Sequence, residues 1–385
     1  MSDPLDVVTH RDGLDPLPEL RRMSAETPLV EAGDHLWMAV GRTEIRAVLS
    51  DTARFTTRPP AENEEASRRL AEPGNPFHYD PPEHTRIRRM LTPEFTVGRT
   101  RSMQPLIEEI VRERLDFLER TGPPADLMRL VAWPVTGLIT CSLLGIPRDD
   151  VDEITRNTTV RANGTGTKQL AAGNAHRAYL EALVARKRRH PDGDDLPSRL
   201  IREHGPEVTD DELRGMCSAV LLSELEGGAH MLGGSALALM QHPDQFALLR
   251  ARPELTDRAV EELLRYLTIV PGVSPRTARE DVPLAGRVIK AGDIVHCALL
   301  AANRAQPPGA PRDDLDITRD STGHMAFGHG IHFCVGAPLA RTQTKIFLAA
   351  LVERFPGLRL AIPPDKLRFR LRSPQHGLEA LPVAW

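Results

Sequence analysis

Residues 327–336 read Phe-Gly-His-Gly-Ile-His-Phe-Cys-Val-Gly, and the pattern APLARTQTKIFLAALVERF after them is helical. The glycines let this backbone pass close to a flat object. The helix directs its N-terminal amides towards Cys334, and such amides stabilise a thiolate. No second Cys or His stands at a chelating spacing, so the thiolate suits a haem iron better than zinc. A buried structural cysteine beside a glycine-rich turn is the alternative.

The overall composition is that of an ordinary globular protein. The chain has 385 residues, 41% of them hydrophobic, which is enough to bury a large core, and we expect a single domain over 1–385. Residues 1–20 contain neither a basic nor an apolar segment, and no stretch approaches roughly 18 consecutive apolar residues. The sequence therefore predicts a cytoplasmic protein without a membrane anchor.

Charge and cysteine content narrow the possible partners. The net charge is −4, with both signs spread along the chain, so we expect neither a nucleic acid nor a membrane as partner. The four cysteines stand at wide, unrelated spacings, which fit neither a disulfide framework nor a zinc site. We expect Cys141, Cys217 and Cys297 to be buried apolar thiols, which leaves Cys334 for chemistry.

Helical periodicity dominates from about residue 83 to 266, so the protein should be mainly α. The clearest helical segments are 105–120, 175–189 and 211–241. The last spans about 31 residues, or roughly 45 Å, and a helix of that length should cross the whole molecule. The sequence Thr-Asp-Asp-Glu at 209–212 is a candidate cap for it.

Strand patterns are short and lie towards the two ends of the chain. They cover residues 35–40 and 287–299, the latter with a turn at 290–293. Two polar, glycine-containing stretches, 59–76 and 156–174, are predicted to be loops, and their length favours a functional role.

The string around Cys334 resembles the FGxGxHxCxG ligand loop of the cytochrome P450 family at every defining position. Glu262 and Arg265 resemble the family's ExxR pair, and His84 and Arg88 follow its HxxxR pattern. This resemblance implies a mainly α fold with small β-sheets, shaped as a triangular prism with a long central helix over the cofactor. It also implies haem b, with Cys334 as the axial ligand of the iron.

The resemblance further implies which residues hold the haem. His84, Arg88, Arg276 and His332 match the family's partners of the haem propionates, and four donors facing two buried carboxylates are what a buried dianion requires. The loop residues Phe327 and Gly336 are expected to contact the cofactor as well.

The long helix departs from the family at its oxygen-activation segment. The acid is present at Glu226, but Gly227 stands where a threonine is expected, and Glu224 replaces a small residue. Glu224 supplying the proton path, the substrate supplying a hydroxyl or N–H, and peroxide as the oxidant are three open explanations. A fourth is that Glu224 points away because the helix unwinds at Gly227–Gly228.

A second departure concerns the Glu262–Arg265 cluster. Asp314 stands where many relatives carry Arg or His to complete this cluster. The third partner is therefore open, and Arg312 is the candidate from sequence.

By resemblance, the substrate pocket is lined by segments 59–77, 156–180 and 219–228 and by parts of two later loops. The apolar walls and the polar groups that orient a ligand are expected among the following residues: Phe77, Val220, Ile269, Val270, Val273, Ser274, Gln375 and His376. Each is equally compatible with an ordinary core or surface position.

The runs AVEELLRYLTIVPGVSPRTARED and LEALPVAW are similar to actinobacterial enzymes that couple or cyclise aromatic cyclic dipeptides in secondary metabolism. Such coupling removes hydrogen from the substrate without inserting oxygen. Regiospecific hydroxylation of another natural product is the alternative reaction. An auxiliary P450-like protein that stabilises a biosynthetic partner enzyme is an alternative of a different class.

No fused flavin or ferredoxin domain is visible in the sequence, so ferredoxin and ferredoxin reductase are the expected electron donors. Arg341, Lys345, Arg86 and Arg89 are candidates for a basic docking patch, with ordinary solvated charge as the alternative.

Overall fold

The computed structural model describes residues 8, 11, 13–16, 18–59, 72–304, 313–370 and 373–385. Its α-helices, in chain order, are α1 (Pro18–Glu26), α2 (Arg42–Ser50), α3 (Glu83–Leu91), α4 (Val97–Thr121), α5 (Trp133–Leu144), α6 (Val151–Asn163), α7 (Gly166–Arg189), α8 (Leu196–His204), α9 (Asp210–Gln241), α10 (Pro243–Ala251), α11 (Thr256–Leu267), α12 (Leu299–Arg304) and α13 (Ala337–Arg354).

The strands are few and short. They are β1 (Leu29–Gly33), β2 (Leu36–Ala39), β3 (Phe55–Thr56), β4 (Ala125–Asp126), β5 (Val273–Ala278), β6 (Val282–Leu284), β7 (Arg287–Ile289), β8 (Ile294–Cys297), β9 (Arg359–Leu360) and β10 (Pro382–Ala384). They form one sheet in the order β1-β2-β8-β5-β3, a second in the order β4-β10-β9 and a two-stranded β6-β7 ribbon. Only β2 and β8 pair in parallel among these described strands. The mainly α architecture with small sheets is therefore confirmed.

Helix α9 is the central element, and its start is set by local chemistry. The Thr209 hydroxyl accepts a hydrogen bond from the Glu212 amide while the Glu212 carboxylate accepts one from the Thr209 amide, which is a complete capping box. The 32-residue helix is about 48 Å long at 1.5 Å per residue. It lies inside the main helical core, so nearly all of its faces are buried.

The predicted strands are confirmed, but the turn at 290–293 has a larger consequence than the sequence indicated. The residues on its two sides belong to different sheets, because β7 pairs with β6 whereas β8 pairs with β2 and β5. The stretch 60–71 within the predicted loop 59–76 lies outside the described residues. Of the helices that are described, none is long and apolar enough to cross a membrane.

The predicted loop at 156–174 is wrong, because α6 and α7 cover nearly all of it. The helical face of this stretch is hard to read from the sequence because its buried positions include Thr158 and His176, which carry polar side chains. These two residues satisfy each other instead of water, since the Thr158 hydroxyl lies 3.1 Å from His176 Nδ1. The polar composition therefore hid a buried contact rather than marking a loop.

His176 also joins α7 to α9, because its Nε2 lies 3.2 Å from the Ser218 hydroxyl. Burial, together with the nearby guanidinium groups of Arg161 and Arg214, lowers the pKa of His176 to about 3. The folded protein therefore keeps this imidazole neutral at pH values where an unfolded chain protonates it. Acidification below about pH 6.5 should then favour unfolding, and the effect should continue down to about pH 3.

We expect the variant His176→Gln to lose less stability on acidification than the wild type. Removing one such histidine should reduce the loss of unfolding free energy between pH 7 and pH 5 by about 2 kcal/mol. Urea unfolding at both pH values measures this difference. The control is His190→Gln, at an exposed histidine that ends α7. Equal acid sensitivity of wild type and His176→Gln would contradict the prediction.

Candidate functional site

The middle of α9 opens onto an internal chamber. From Leu213 to Leu239 every residue of this helix is buried except four consecutive or near-consecutive ones, which are Leu222, Ser223, Glu224 and Gly227. An accessible face halfway along a helix that is otherwise enclosed must border a space inside the molecule. These four residues therefore mark one wall of a chamber, and we refer to them below as the open face of α9.

The loop that carries Cys334 forms the opposite side of the chamber. Its backbone is closed by the Cys334 amide, which donates to the Phe327 carbonyl at 3.0 Å. Gly330 has a φ of 72°, and a Cβ there would lie 2.2 Å from the Leu49 carbonyl oxygen, so a side chain is excluded. Gly336 caps α13 directly after the cysteine.

Burial raises the pKa of the Cys334 thiol to about 11, against the opposing influence of the Gly336 amide and of Arg88 and Arg341. The Glu224 carboxylate also raises it, which shows that the open face of α9 lies close to the sulfur. At neutral pH the bare sulfur is therefore protonated. A bound metal ion would displace this proton, since thiolate is the form that binds metals.

Four nitrogen-bearing side chains gather beside the loop. The rings of His84 and His332 have centroids 4.3 Å apart. Arg88 donates to the Phe333 carbonyl at 2.5 Å, and Arg276 donates to the Ser274 carbonyl at 2.6 Å. Neither ring nitrogen of His84 has a hydrogen-bond partner among the described residues, and His332 Nε2 is also buried without one.

This cluster lacks anions. Burial lowers the pKa of His332 to about 3, and the positive charge of Arg276 lowers it further. The nearby carboxylate of Asp80 already accepts hydrogen bonds from the Thr57 amide and from Arg279, both at 3.1 Å. Buried donors without acceptors are costly, so the cluster fits a ligand that brings its own negative charge.

A cleft of about 610 Å³ borders the same cluster. It is lined by His84, Thr85, Arg88, Arg89, Thr92, Pro93 and Ile331. A thiol that needs a metal and a group of donors that need anions meet in one place. The residues present therefore fit a haem, whose iron and two carboxylates answer both needs.

Glu262 and Arg265 form a buried ion pair within α11. The guanidinium donates to both carboxylate oxygens at 2.7 Å, and the two side chains are 0% and 3% exposed. Glu262 also accepts from Ser321 at 2.5 Å and from the Asp316 amide at 3.0 Å. The pair is thus a junction between α11 and the loop that precedes the cysteine.

The third partner of this pair is Arg319, which the sequence did not indicate. Its guanidinium donates to Glu262 at 2.6 Å and to the Asp314 carboxylate at 2.8 Å. Asp314 also accepts from Arg265 through its backbone carbonyl at 3.0 Å. The sequence candidate Arg312 lies outside the described residues. Asp314 therefore takes part in the cluster by orienting the arginine that completes it.

Glu224 faces the chamber, and the hypothesis that α9 unwinds beside it is wrong. The helix is continuous through Gly227 and Gly228. A Cβ at Gly228 would lie 2.6 Å from the Thr136 methyl, so this glycine permits close packing of α9 on α5. Glu224 Oε1 is buried without a hydrogen-bond partner among the described residues. Burial raises the pKa of Glu224 to about 7, against a smaller opposing effect of Gln343.

Glu226 is held differently. Its carboxylate accepts from Asn163 at 2.5 Å and from Arg370 at 3.5 Å, and the residue is 1% exposed. Burial raises its pKa although both neighbours oppose the shift. Arg370 in turn lies over the Trp133 ring, with its central carbon 4.9 Å from the ring centroid. These partners are far apart in sequence, and no local pattern indicated them.

The predicted pocket residues do not all line the chamber. Val220 is buried in the main core, whereas Phe77 is 44% exposed. Val273 lies 3.8 Å from the Cβ position of Gly328 in the cysteine loop, and Ser274 is exposed.

The tail residues also differ from one another. His376 is unsuited to orient a ligand, because its Nε2 lies 2.7 Å from the Gly13 carbonyl and its ring is stacked on Phe369. Ile269 and Val270 are partly buried, and the Ile269 carbonyl accepts from the His376 amide. Gln375 stands directly beside the open face of α9.

The candidate docking cations are largely neutralised by neighbours. Arg341 pairs with Glu261 at 2.5 Å, and Lys345 pairs with Asp257 at 2.7 Å. Arg86 pairs with Glu212 on the opposite side of α3 from the cleft-lining Arg89. The first two therefore contribute little net charge to a basic patch.

Comparisons with known proteins agree with this geometry. Residues 243–367 match the family model described as Cytochrome P450. The protein "Cytochrome P450 165B3" of Amycolatopsis orientalis is 42% identical over 100% of this chain and 99% of its own. The structure of OxyC, described as implicated in an oxidative C–C coupling reaction during vancomycin biosynthesis, is 42% identical with a TM-score of 0.89 and covers 100% of this chain and 97% of its own. Pentalenic acid synthase of Streptomyces avermitilis is 39% identical over 96% of this chain and 93% of its own.

We expect Cys334→Ala to lose the ferrous–carbonyl absorption band that gives the matched family its name, because the buried sulfur is then absent from the chamber. The matched controls are Cys141→Ala, Cys217→Ala and Cys297→Ala, at thiols that are buried elsewhere. Visible spectra of the four purified variants under carbon monoxide measure the effect. Retention of the band in Cys334→Ala would show that another group ligates the iron.

We expect Glu262→Ala to yield protein that is largely haem-free or insoluble. The change strands Arg265 in the core, and breaking a buried pair in this way costs about 3–5 kcal/mol. The control is Glu254→Ala, at an exposed residue paired with Arg252. Haem content per mole of soluble protein is the measurement. Normal haem content in Glu262→Ala would show that the pair is dispensable for assembly.

Proposed function

Because this chain belongs to the cytochrome P450 family, whose members are haem b oxidoreductases, we propose that it couples aromatic groups of a small peptide in secondary metabolism. The observation that carries the proposal is the likeness over the whole chain to a solved enzyme described as implicated in oxidative C–C coupling. The open face of α9 supports it, because this face offers the Glu224 carboxylate and no hydroxyl at Gly227.

The residues of the chamber would hold the cofactor as follows. Cys334 would ligate the iron, with Phe327 and Gly336 shaping the loop around the sulfur. The unsatisfied donors would bind the two propionates, and these donors are His84, Arg88, Arg276 and His332. When bound, haem b supplies the means to activate O₂ with electrons that arrive from outside the chain.

The coupling reaction balances without insertion of oxygen. The substrate loses two hydrogen atoms as one bond forms between two aromatic positions. One O₂ takes the two electrons of those hydrogens, two further electrons and four protons in total, and leaves as two waters. Bacterial enzymes of this family generally take the external electrons from ferredoxin and its reductase, and we propose that pair as the donors here.

Glu224 is the candidate for delivering protons in the chamber. Its carboxyl group lies near the sulfur, lacks a fixed hydrogen-bond partner, and has a pKa near neutrality, which is what a proton donor requires. Glu226 is less available, because Asn163 and Arg370 already engage it. We propose it as a reserve carboxylate behind the chamber wall. A hydroxyl or N–H of the substrate and peroxide as oxidant are the remaining routes for the missing threonine.

For the substrate we propose a peptide with aromatic side chains, of which aromatic cyclic dipeptides are the first class to examine. The chamber walls at Ile269, Val270 and Val273 are apolar and partly buried, as a pocket for rings requires. Hydroxylation is the second candidate reaction, and it is favoured by relatives such as the monooxygenase PikC of Streptomyces venezuelae, which is 38% identical over 96% of this chain.

We expect products of the wild-type enzyme to carry no label from ¹⁸O₂. The assay supplies ferredoxin, reductase and a panel of cyclic and linear peptides that contain aromatic residues, and mass spectrometry reads the products. Products lighter than substrate, or than two substrates, by two hydrogens support coupling. Label in every product would contradict coupling and establish hydroxylation.

The same assay examines Glu224. Glu224→Gln keeps the size of the side chain but removes its proton, so turnover should fall while haem content stays normal. The matched control is Ser223→Ala, at the neighbouring open position. Full turnover in Glu224→Gln would remove the carboxylate from the proposed proton path.

A further inference from the structure

The tail of the chain returns to the middle of α9. Phe369 and Leu378 form an antiparallel bridge, and the Arg370 amide donates to the Gly377 carbonyl at 2.9 Å. Gly377 lies directly against α9, because a Cβ there would come within 1.9 Å of the His230 ring. A side chain at this position is excluded, so the tail is seated against the helix one turn beyond its open face.

This seating brings the side chain of Gln375 to Gly227. A Cβ built on Gly227 would lie 3.2 Å from Gln375 Oε1 and 4.0 Å from its Cδ. The amide oxygen is buried and has no hydrogen-bond partner among the described residues. The carboxamide therefore occupies the space into which a side chain at position 227 would project.

We propose that the Gln375 carboxamide supplies the hydrogen-bonding group that α9 lacks at Gly227, and that it positions the proton-carrying water in the chamber. The inference rests on the proposed function, because it concerns how oxygen is reduced there. A carboxamide offers two N–H donors and a carbonyl acceptor, which exceeds the capacity of one hydroxyl.

Gln375 is a positioning residue, because a neutral amide does not release a proton. The protons must come from Glu224 or from solvent, and the amide fixes the water through which they travel. When protons are misdirected, O₂ leaves after taking up only two electrons and two protons, as hydrogen peroxide. Loss of the amide should therefore divert electrons to peroxide rather than abolish electron uptake.

The contact itself is tested by a double-mutant cycle on the haem-loaded protein. In the wild type, Gly227→Ala gains helix propensity but pushes against the amide. In a Gln375→Ala background the added methyl meets no such obstacle. We expect Gly227→Ala to raise the thermal midpoint more in that background than alone. Additive shifts would show that the two side chains do not compete for one space and would overturn the proposal.

The hydrogen-bonding role is tested on Gln375→Leu with the infrared C–O stretch of the ferrous carbonyl complex, which responds to donors in the chamber. We expect a shifted frequency and a several-fold rise in peroxide per electron pair. The double variant of Gly227→Thr with Gln375→Ala should return both readouts towards the wild type. The control is Lys366→Gln, at an exposed tail residue.

An unchanged C–O stretch in Gln375→Leu would overturn the proposal. This readout needs no substrate, so it is independent of the reaction type. Label from ¹⁸O₂ in the products would instead contradict coupling, while the infrared shift would still assign the amide to the chamber.

Discussion

The structure depends on a chamber whose two sides cannot be satisfied by protein groups alone. On one side, burial keeps the sulfur of Cys334 protonated unless a metal binds it. On the other, buried nitrogens of His84 and His332 have no acceptors among the described residues. Each condition is costly in an empty protein interior. Both are relieved together by a ligand that combines a metal ion with carboxylates, which is why the fold and the haem belong to one another.

The walls of the chamber are held by contacts that lie outside it. The Glu262–Arg265 pair ties α11 to the loop before the cysteine, and Arg319 completes that junction. Helix α9 can lie close to α5 because Gly228 has no side chain to meet Thr136. The Gly-Gly step at 227–228, which is unfavourable for an isolated helix, is thus offset by packing rather than by a kink.

The open face of α9 has a different polarity from that of its relatives. A carboxylate at Glu224 stands where the family has a small residue, and the space in front of Gly227 is taken by an amide from the tail. In a chamber with few other polar groups, each such group influences where protons and water go. The exchange of a helix-borne hydroxyl for a tail-borne amide is one way in which a common scaffold acquires a different reaction.

Much of this protein was determined by sequence alone, because the deciding signals are local. The cysteine loop, the ExxR spacing and the capping box at Thr209 each occupy a few consecutive residues whose geometry follows from one turn of backbone. The long period of α9 is visible for the same reason. The stretch 156–174 escaped because its buried positions are polar, so its helical face carries no hydrophobic signal.

Only the tertiary structure decided which distant residues meet. Arg319 reaches Glu262 across 57 positions, and Arg370 reaches Glu226 across 144. Gln375 was one of several candidate polar groups in the sequence, and His376 beside it was another. The structure directs the first to Gly227 and engages the second with Gly13. Such pairings depend on how helices and tail pack together, and no spacing along the chain encodes that packing.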